Sequence, residues 1–322
     1  RPCASTAKHW TKSKSAKSAV DSRAAKAARL RYMSVIPKTD YIGRFAPSPT
    51  GPLHLGSLCT ALASYLDARA HRGQWLLRIE NLDPPREQEG ADKLIIDALQ
   101  AHGLHWDGGI LWQSNRHAAY ADALEQLLDQ GDAFYCSCSR AQLAEHDGIH
   151  RGDCIAELNP NDAAVRLRAN SRRYDIPDRH LGAQHCCPAD GGDVVLRRRD
   201  GLFAYQLAVV VDDAFSGITD IVRGSDLLDS TAWQWQLQSC LDFPHPRYLH
   251  LPLLVDAQGD KLSKRSYAPA LDNDQAEQNL RLALRYLGQP APPDQTSLDA
   301  LLRWSTEHWQ VEQLPKAAII AD

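Results

Sequence analysis

The chain has 322 residues, 43% of them hydrophobic and 24% charged, with a formal net charge of -4. These values exclude a disordered chain, a collagen-like repeat and a membrane-embedded bundle, and the length allows one large domain or two of average size. Residues 1–32 carry nine Lys/Arg and one acid, Asp21, whereas the other 290 residues carry 27 basic and 39 acidic groups, net -12; a body of that sign is not a generic polyanion binder.

The basic tail lacks the large apolar residues needed to bury a core and is expected to be disordered. An RNA-binding arm, a transit peptide and a segment outside the native protein are the competing readings. Met33 is the only methionine and stands just before the first strand-like segment. Translation is therefore expected to begin there, and residues 1–33 are set aside from the fold. No stretch of 18 apolar residues occurs, so no transmembrane helix and no membrane partner are expected. Eight cysteines without a signal peptide suggest a reduced, cytoplasmic protein. Cys59 and Cys240 fall in apolar helical segments and are expected to pack as small hydrophobes; the adjacent Cys186 and Cys187 have no evident role.

Along the chain, Tyr41–Phe45 is a short strand, followed by a breaker-rich loop, Ala46 to Pro52. Leucines 55, 58, 62 and 66 give helical periodicity from Leu53 to about Ala70. Trp75–Ile79 reads as a second strand, Glu87 to about His102 as a second helix, and Arg116–Gln130 as a third. Ala133–Tyr135 again looks like a strand. This alternation predicts a parallel sheet with crossover helices. It fails between Tyr135 and about Leu181, which reads as an insertion. Strands are expected again at Val194–Arg198, Tyr205–Val211 and Ile218–Val222, with Asp212-Asp213 closing the second of them at a pocket floor. Helices are expected at Asp229–Leu241 and after Asp272. The resulting organisation is an extension, 1–33; a first half of the α/β domain, 34–134; an insertion, 135–190; a second half, 191–270; and a short helical C-terminal segment, 271–322.

Two segments carry chemistry. The first is Arg44-Phe45-Ala46-Pro47-Ser48-Pro49-Thr50-Gly51-Pro52-Leu53-His54-Leu55-Gly56-Ser57, where a strand passes into a helix. A helix amino terminus offers unsatisfied N–H groups and a positive dipole end, suited to a phosphate; a proline-rich turn with a capping histidine fits the same letters. The second is Lys261-Leu262-Ser263-Lys264-Arg265, about 200 residues later. Two lysines on a loop can neutralise transferring phosphates, although such a run is more often a solvated basic loop.

Together, in this order, the two segments resemble the HIGH and KMSKS motifs of class I aminoacyl-tRNA synthetases. The run Arg44 to Gly51, and the stretches from Val194 to Asp213 and from Gly217 to Leu228, are similar to the glutamyl/glutaminyl subgroup. Ser57 replaces the second histidine of the HIGH name, a variation common in this subgroup. The resemblance covers about residues 40–270. It implies an α/β, Rossmann-like catalytic domain. It further implies that His54, Gly56, Ser57, Lys261, Ser263 and Lys264 hold ATP, with His54 and Lys264 catalytic and Mg accompanying the nucleotide. Arg44, Ala46, Ser48, Glu80, Tyr205 and Arg223 are implied to hold L-glutamate. The physics agrees: a side-chain carboxylate suits a guanidinium fork, an ammonium suits Glu80, and Tyr205 supplies a hydroxyl. Ordinary structural ion pairs are the bland alternative for Arg223 and Glu80.

In the insertion, Cys136, Cys138, His150 and Cys154 match a Cys₃His tetrahedral zinc site, with His146 as a competing fourth ligand. Such a site has no open position, so its one zinc per chain is expected to be structural. Its alternative is a set of unrelated reduced thiols.

Only 57 residues follow Arg265, too few for the anticodon-binding domains of a discriminating synthetase. This architecture resembles the truncated bacterial paralogues known as glutamyl-Q tRNA(Asp) synthetases. That family transfers activated glutamate to queuosine in the anticodon of tRNA(Asp), which implies a ligase whose partners are ATP, L-glutamate and queuosine-bearing tRNA(Asp). A truncated glutamyl-tRNA synthetase that charges the tRNA 3′ end and a silent tRNA-binding paralogue are the competing readings. A monomer is expected.

Overall fold

The computed structural model describes residues 40–145, 147–159, 162–256, 269–294 and 297–320. The first strand, β1 (Ile42–Phe45), is buried along its whole length and leads through the Ala46–His54 loop into α1 (Leu55–Ala70). The chain returns in β2 (Gln74–Ile79), parallel to β1 with Arg44 opposite Leu76. Both strands are covered on two faces, and so read as nearly continuous apolar runs. A 3₁₀ turn at Pro84–Arg86 and Gly90, at φ 75°, precede α2 (Ala91–Ala101). The helix expected from Glu87 therefore starts later: Gly90 occupies a left-handed conformation that suits glycine and begins the helix there.

Next come β3 (Leu111–Trp112), parallel to β2, and α3 (His117–Gln130), ended by Gly131 at φ 80°. The strand expected at Ala133–Tyr135 is present as β4 (Ala133–Cys136), but it pairs antiparallel in a separate sheet instead of extending the parallel one. Beyond it the presumed insertion holds more regular structure than its composition suggests. It contains β5 (Ala164–Leu167), β6 (Tyr174–Asp178) and β7 (Gly182–Cys186), and β8 follows at Val195–Arg197. Strands β4, β5 and β8 form an antiparallel sheet, while β6 and β7 form a hairpin.

One expected strand is a helix. Tyr205 to Val211 begins α4 (Tyr205–Ser216), which ends at Gly217 in the left-handed region. Every residue from Gln206 to Asp213 is buried. A short apolar run without an exposed face carries no periodicity, so helix and strand cannot be told apart by pattern. Asp212 and Asp213 consequently lie within a helix rather than at a strand end.

The remaining elements are β9 (Asp220–Gly224), α5 (Ser230–Cys240), β10 (Arg247–Leu251), β11 (Leu254–Val255), α6 (Ala276–Tyr286), α7 (Leu298–Glu307) and β12 (Ile319–Ile320). Strand β10 was not foreseen; it runs parallel between β6 and β9. Thr219 joins this sheet to the first. Its N–H donates to the Ile42 carbonyl at 2.9 Å, and its Oγ1 accepts from the Ile42 N–H at 2.8 Å. The carboxyl ends of β1, β2, β9 and β10 therefore face one cleft, the usual ligand position in an open α/β sheet.

Apolar side chains from α1, β1, β2, α6 and α7 pack as one core, and those of α3, α4, α5, β5 and β8 as a second. Each fully buried leucine, such as Leu62 or Leu207 at 0% exposure, contributes about 1.5–3 kcal/mol. Cys59 and Cys240 pack against these two cores, and burial pushes the Cys59 thiol up to about 12. Among the described residues, no helix is long and apolar enough to cross a membrane.

Candidate active site and metal centre

A cavity of about 600 Å³ opens where β1 hands over to α1. Its walls include Arg44, Ala46, Ser48, His54, Gly56, Ser57, Glu80, Tyr205 and Arg223. All the described residues expected to hold ATP and the amino acid are thereby gathered at one site.

His54 is the N-cap of α1, in an extended conformation, and its carbonyl accepts from Leu58 N–H at 2.9 Å. Its Nδ1 accepts from Ser57 N–H at 3.3 Å, so Nε2 carries the proton toward Ser57 Oγ, 3.0 Å away. Ser57, the departure from the motif, thus fixes the orientation of the motif histidine. No acidic residue occupies the first turn of α1, leaving its positive end for an anion. The loop is held down by Glu80 N–H to Pro47 carbonyl at 3.0 Å and Gln88 N–H to Pro49 carbonyl at 2.9 Å.

Beneath the cavity lies a lattice of buried charges. Arg44 Nε reaches Asp213 Oδ1 at 3.2 Å, Arg78 reaches the same oxygen at 2.6 Å, and Arg78 also reaches Glu80 Oε1 at 3.1 Å. Burial raises the Asp213 carboxyl, but Arg44 and Arg78 outweigh it and hold the group below its usual range. At Glu80 burial prevails over the same two arginines and the carboxyl is raised. Burial likewise raises the Tyr205 hydroxyl. Asp212 faces the other way and accepts from Gln113, Arg116 and Tyr120. It braces α3 against α4.

Arg223, at the end of β9, is 3% exposed. It donates from Nε to His250 Nε2 at 3.0 Å, and from its terminal nitrogens to Gln234 Oε1 at 2.6 Å and Thr231 Oγ1 at 2.8 Å. Three of its five N–H groups are so engaged, leaving two for a carboxylate in the cavity it borders.

No local pattern marks Arg78, His250 or Asp178 as site residues. Asp213 belongs to the acidic pair expected at a pocket floor, and His250 is a lone imidazole inside the apolar run Tyr248 to Leu251. Nothing in the sequence pairs position 250 with position 178.

Lys261, Ser263 and Lys264 lie outside the described residues. The chain on either side of them borders the cavity. Leu253 and Leu254 line it. Leu271 N–H donates to the Leu53 carbonyl at 3.0 Å, and Ala270 bridges His54.

A second constellation sits in the insertion. The ligand atoms of Cys136, Cys138, His150 and Cys154 all lie within 4.8 Å of one another. His150 Nδ1 meets Asp193 Oδ2 at 2.8 Å, whereas Nε2 is buried without a hydrogen-bond partner. A carboxylate that takes the Nδ1 proton and leaves Nε2 bare is the usual support of a metal-bound histidine. Asp193 is itself fixed by Gly152 N–H at 3.0 Å and Ala169 N–H at 2.8 Å. Burial and the neighbouring thiols push the Cys154 thiol up, a crowding that a cation would relieve. The donor set fits a metal ion. His146, the competing ligand, lies outside the described residues.

Residues 42–287 match the family model described as tRNA synthetases class I (E and Q), catalytic domain. The chain belongs to that family. Among curated relatives, a glutamyl-Q tRNA(Asp) synthetase of Ectopseudomonas mendocina is 52% identical over 289 residues, spanning 88% of this chain and 98% of that protein. Another of the same name, from Serratia proteamaculans, is 48% identical over 87% of this chain and 94% of its own length. Among solved structures, a glutamate-tRNA synthetase from Elizabethkingia anophelis superposes with a TM-score of 0.74 at 25% identity, covering 88% of this chain and 68% of that one. A glutamate tRNA ligase from Elizabethkingia meningosepticum, in complex with its amino acid, gives 0.73 at the same identity.

Proposed function

We propose that this chain activates L-glutamate with ATP and transfers it to the queuosine base in the anticodon of tRNA(Asp). One observation carries the reading: the free edge of the Arg223 fork and the bare amino terminus of α1 open into the same cavity. That cavity is also edged by Glu80 and Tyr205. Relatives bearing the name of this activity cover nearly their whole length with this chain at about half identity, which selects the queuosine acceptor over the tRNA 3′ end.

In the first step an oxygen of the glutamate α-carboxylate attacks the α-phosphorus of ATP. The bond to the bridging oxygen breaks, and pyrophosphate leaves. His54 and the first turn of α1 stabilise charge on the α-phosphate, with Gly56 and Ser57 lining the approach. Lys264, helped by Lys261 and Ser263, meets the leaving pyrophosphate. Mg²⁺ bound with ATP supplies further neutralisation of phosphate charge. Arg223 holds the side-chain carboxylate, Glu80 the ammonium and Tyr205 a polar oxygen. Arg44 shapes the floor together with Ala46 and Ser48. In the second step a hydroxyl of the queuosine cyclopentene ring attacks the activated carbonyl, and AMP leaves. Holding the reactants in line is the main contribution of the protein.

Cys136, Cys138, His150 and Cys154 would hold one zinc ion. With four protein ligands its chemistry is structural: it ties β4 to the turn that carries His150. Within the insertion at residues 135–190, such an ion would organise the segment from Cys136 to Cys154.

ATP–pyrophosphate exchange with glutamate and no tRNA tests the reading. Exchange is expected, followed by glutamate transfer to tRNA(Asp) that periodate treatment of queuosine abolishes. Transfer to the 3′ end instead would identify a shortened glutamyl-tRNA synthetase, and no exchange under any condition a silent binding protein.

A further inference from the structure

The guanidinium of Arg223 is held in an unusual way for a buried arginine. Arg44 and Arg78 both answer to carboxylates, Asp213 and Glu80. Arg223 forms no ion pair among the described residues; its partners are Thr231, Gln234 and the imidazole of His250, all neutral groups. Its guanidinium also lies 5.2 Å from the centre of the Tyr248 ring.

The partners form a chain with one consistent set of proton positions. Arg223 Nε can only donate, so His250 Nε2 must accept. The imidazole proton then sits on Nδ1, which faces Asp178 Oδ2 at 2.7 Å. Asp178 can serve only as an acceptor there. It also takes the N–H groups of His180 at 2.9 Å, Leu181 at 2.7 Å and His250 at 3.1 Å. On the other side, Gln234 accepts from Arg223, so its amide nitrogen donates to Gln206 at 2.8 Å. His250 and the Asp178 side chain are each 1% exposed, so no water can substitute for either partner.

We infer that Asp178 and His250 are positioning residues for amino-acid selection: Asp178 sets the His250 tautomer, and His250 locks the Arg223 fork in the orientation that accepts a side-chain carboxylate. This rests on the reading that Arg223 binds glutamate. Because its protein partners are neutral, the guanidinium charge is left for the ligand. A carboxylate can take both remaining N–H groups, whereas a carboxamide offers one oxygen and presents an N–H to a donor. Selection of the acid over the amide thus depends on the fork being held edge-on to the cavity.

Three variants and one spectrum test it. Asp178→Asn places an amide donor where His250 needs an acceptor, which drives the imidazole to its other tautomer and turns a donor toward Arg223 Nε. The KM for glutamate in pyrophosphate exchange should rise roughly tenfold, the loss of one charge-assisted hydrogen bond. The KM for ATP should stay unchanged, and preference for glutamate over glutamine should narrow. His250→Leu should behave alike. His250→Gln, which can accept from Arg223 and donate to Asp178 at once, should restore most of the glutamate KM. Wild-type values for glutamate in both damaging variants would overturn the inference while leaving the proposed function standing. Absence of glutamate-dependent exchange in the wild type would sink that function instead. The tautomer itself is read without substrate: long-range proton–nitrogen correlation of the wild-type imidazoles should show His250 protonated at Nδ1 alone. A proton on Nε2 would refute the relay whatever the variants do.

Discussion

The cleft and the cysteine knuckle are both polar, yet they gain order by opposite means. In the cleft, arginines and carboxylates are fixed by each other and by strands covered on both faces, as Arg44, Arg78, Glu80 and Asp213 illustrate. The knuckle has little to pack. Its buried apolar cluster consists of Cys136, Cys138 and Leu143, with Phe134, Cys154 and Ala156 against it, and Ile155 and Leu158 are exposed. His150 Nε2 is buried there without a hydrogen-bond partner. A lobe with so small a core is the kind that a metal ion stabilises, in keeping with the proposed zinc. The cleft needs none, and its open valences are left for substrate.

That contrast can be broken at four points. The largest effect is expected from Arg223→Met, which strips the cleft of its substrate-facing charge. Glutamate-dependent exchange should fall by at least about a hundredfold in kcat/KM, with the melting temperature little changed. Collapse of the fold instead would mean that Arg223 serves the lattice rather than the ligand. In the knuckle, Cys136→Ser should lower bound zinc from about one per chain to near zero and sensitise residues 137–159 to proteolysis. A metal-free wild type with identical melting would erase the distinction between the two regions. Lys264→Ala should slow adenylate formation by about tenfold or more, because it removes a contact made to the leaving phosphates; unaltered exchange would remove it from the mechanism.

The smallest effect concerns pH, and it belongs to the body rather than the knuckle. Burial holds His102, His180, His245 and His250 below the usual histidine range. Above about pH 6.5 both folded and unfolded chains leave them neutral, so their contribution is complete there. As pH falls below that value the unfolded chain takes up protons the native state refuses, and stability declines. The urea midpoint should therefore be lower at pH 5.5 than at pH 8. An unchanged midpoint would show these imidazoles to be freely protonated in the fold.

Local signals in the sequence reached a good part of this. The passage from strand to capped helix at Phe45 to Ser57 is contiguous, so its letters declare the turn and the helix start, and the family resemblance adds the reading of a phosphate site. Cys136, Cys138, His150 and Cys154 fall within 19 residues of one another, and their chemistry narrows the choices. The failures have separate causes. Tyr205 to Val211 reads as strand because a run buried on every side hides its period. The β6–β7 hairpin escaped notice because its strands are polar and carry no apolar alternation along β7, and strand β10 because its partner β6 is distant, Tyr248 lying opposite Asp178. The Arg78–Asp213 and His250–Asp178 pairs were invisible for the same reason.

The sequence by itself determined the class of protein, since each motif is a contiguous run of letters whose resemblance to a known family needs no tertiary contact. Which carboxylate answers which arginine or imidazole was decided only by the tertiary structure, because that choice depends on distances between elements some 70 to 170 residues apart and on burial that no local pattern encodes. Arg223 was left with neutral partners by the way β9, β10 and α5 meet, and that arrangement, which underlies the proposed glutamate contact, came from the fold and not from the letters.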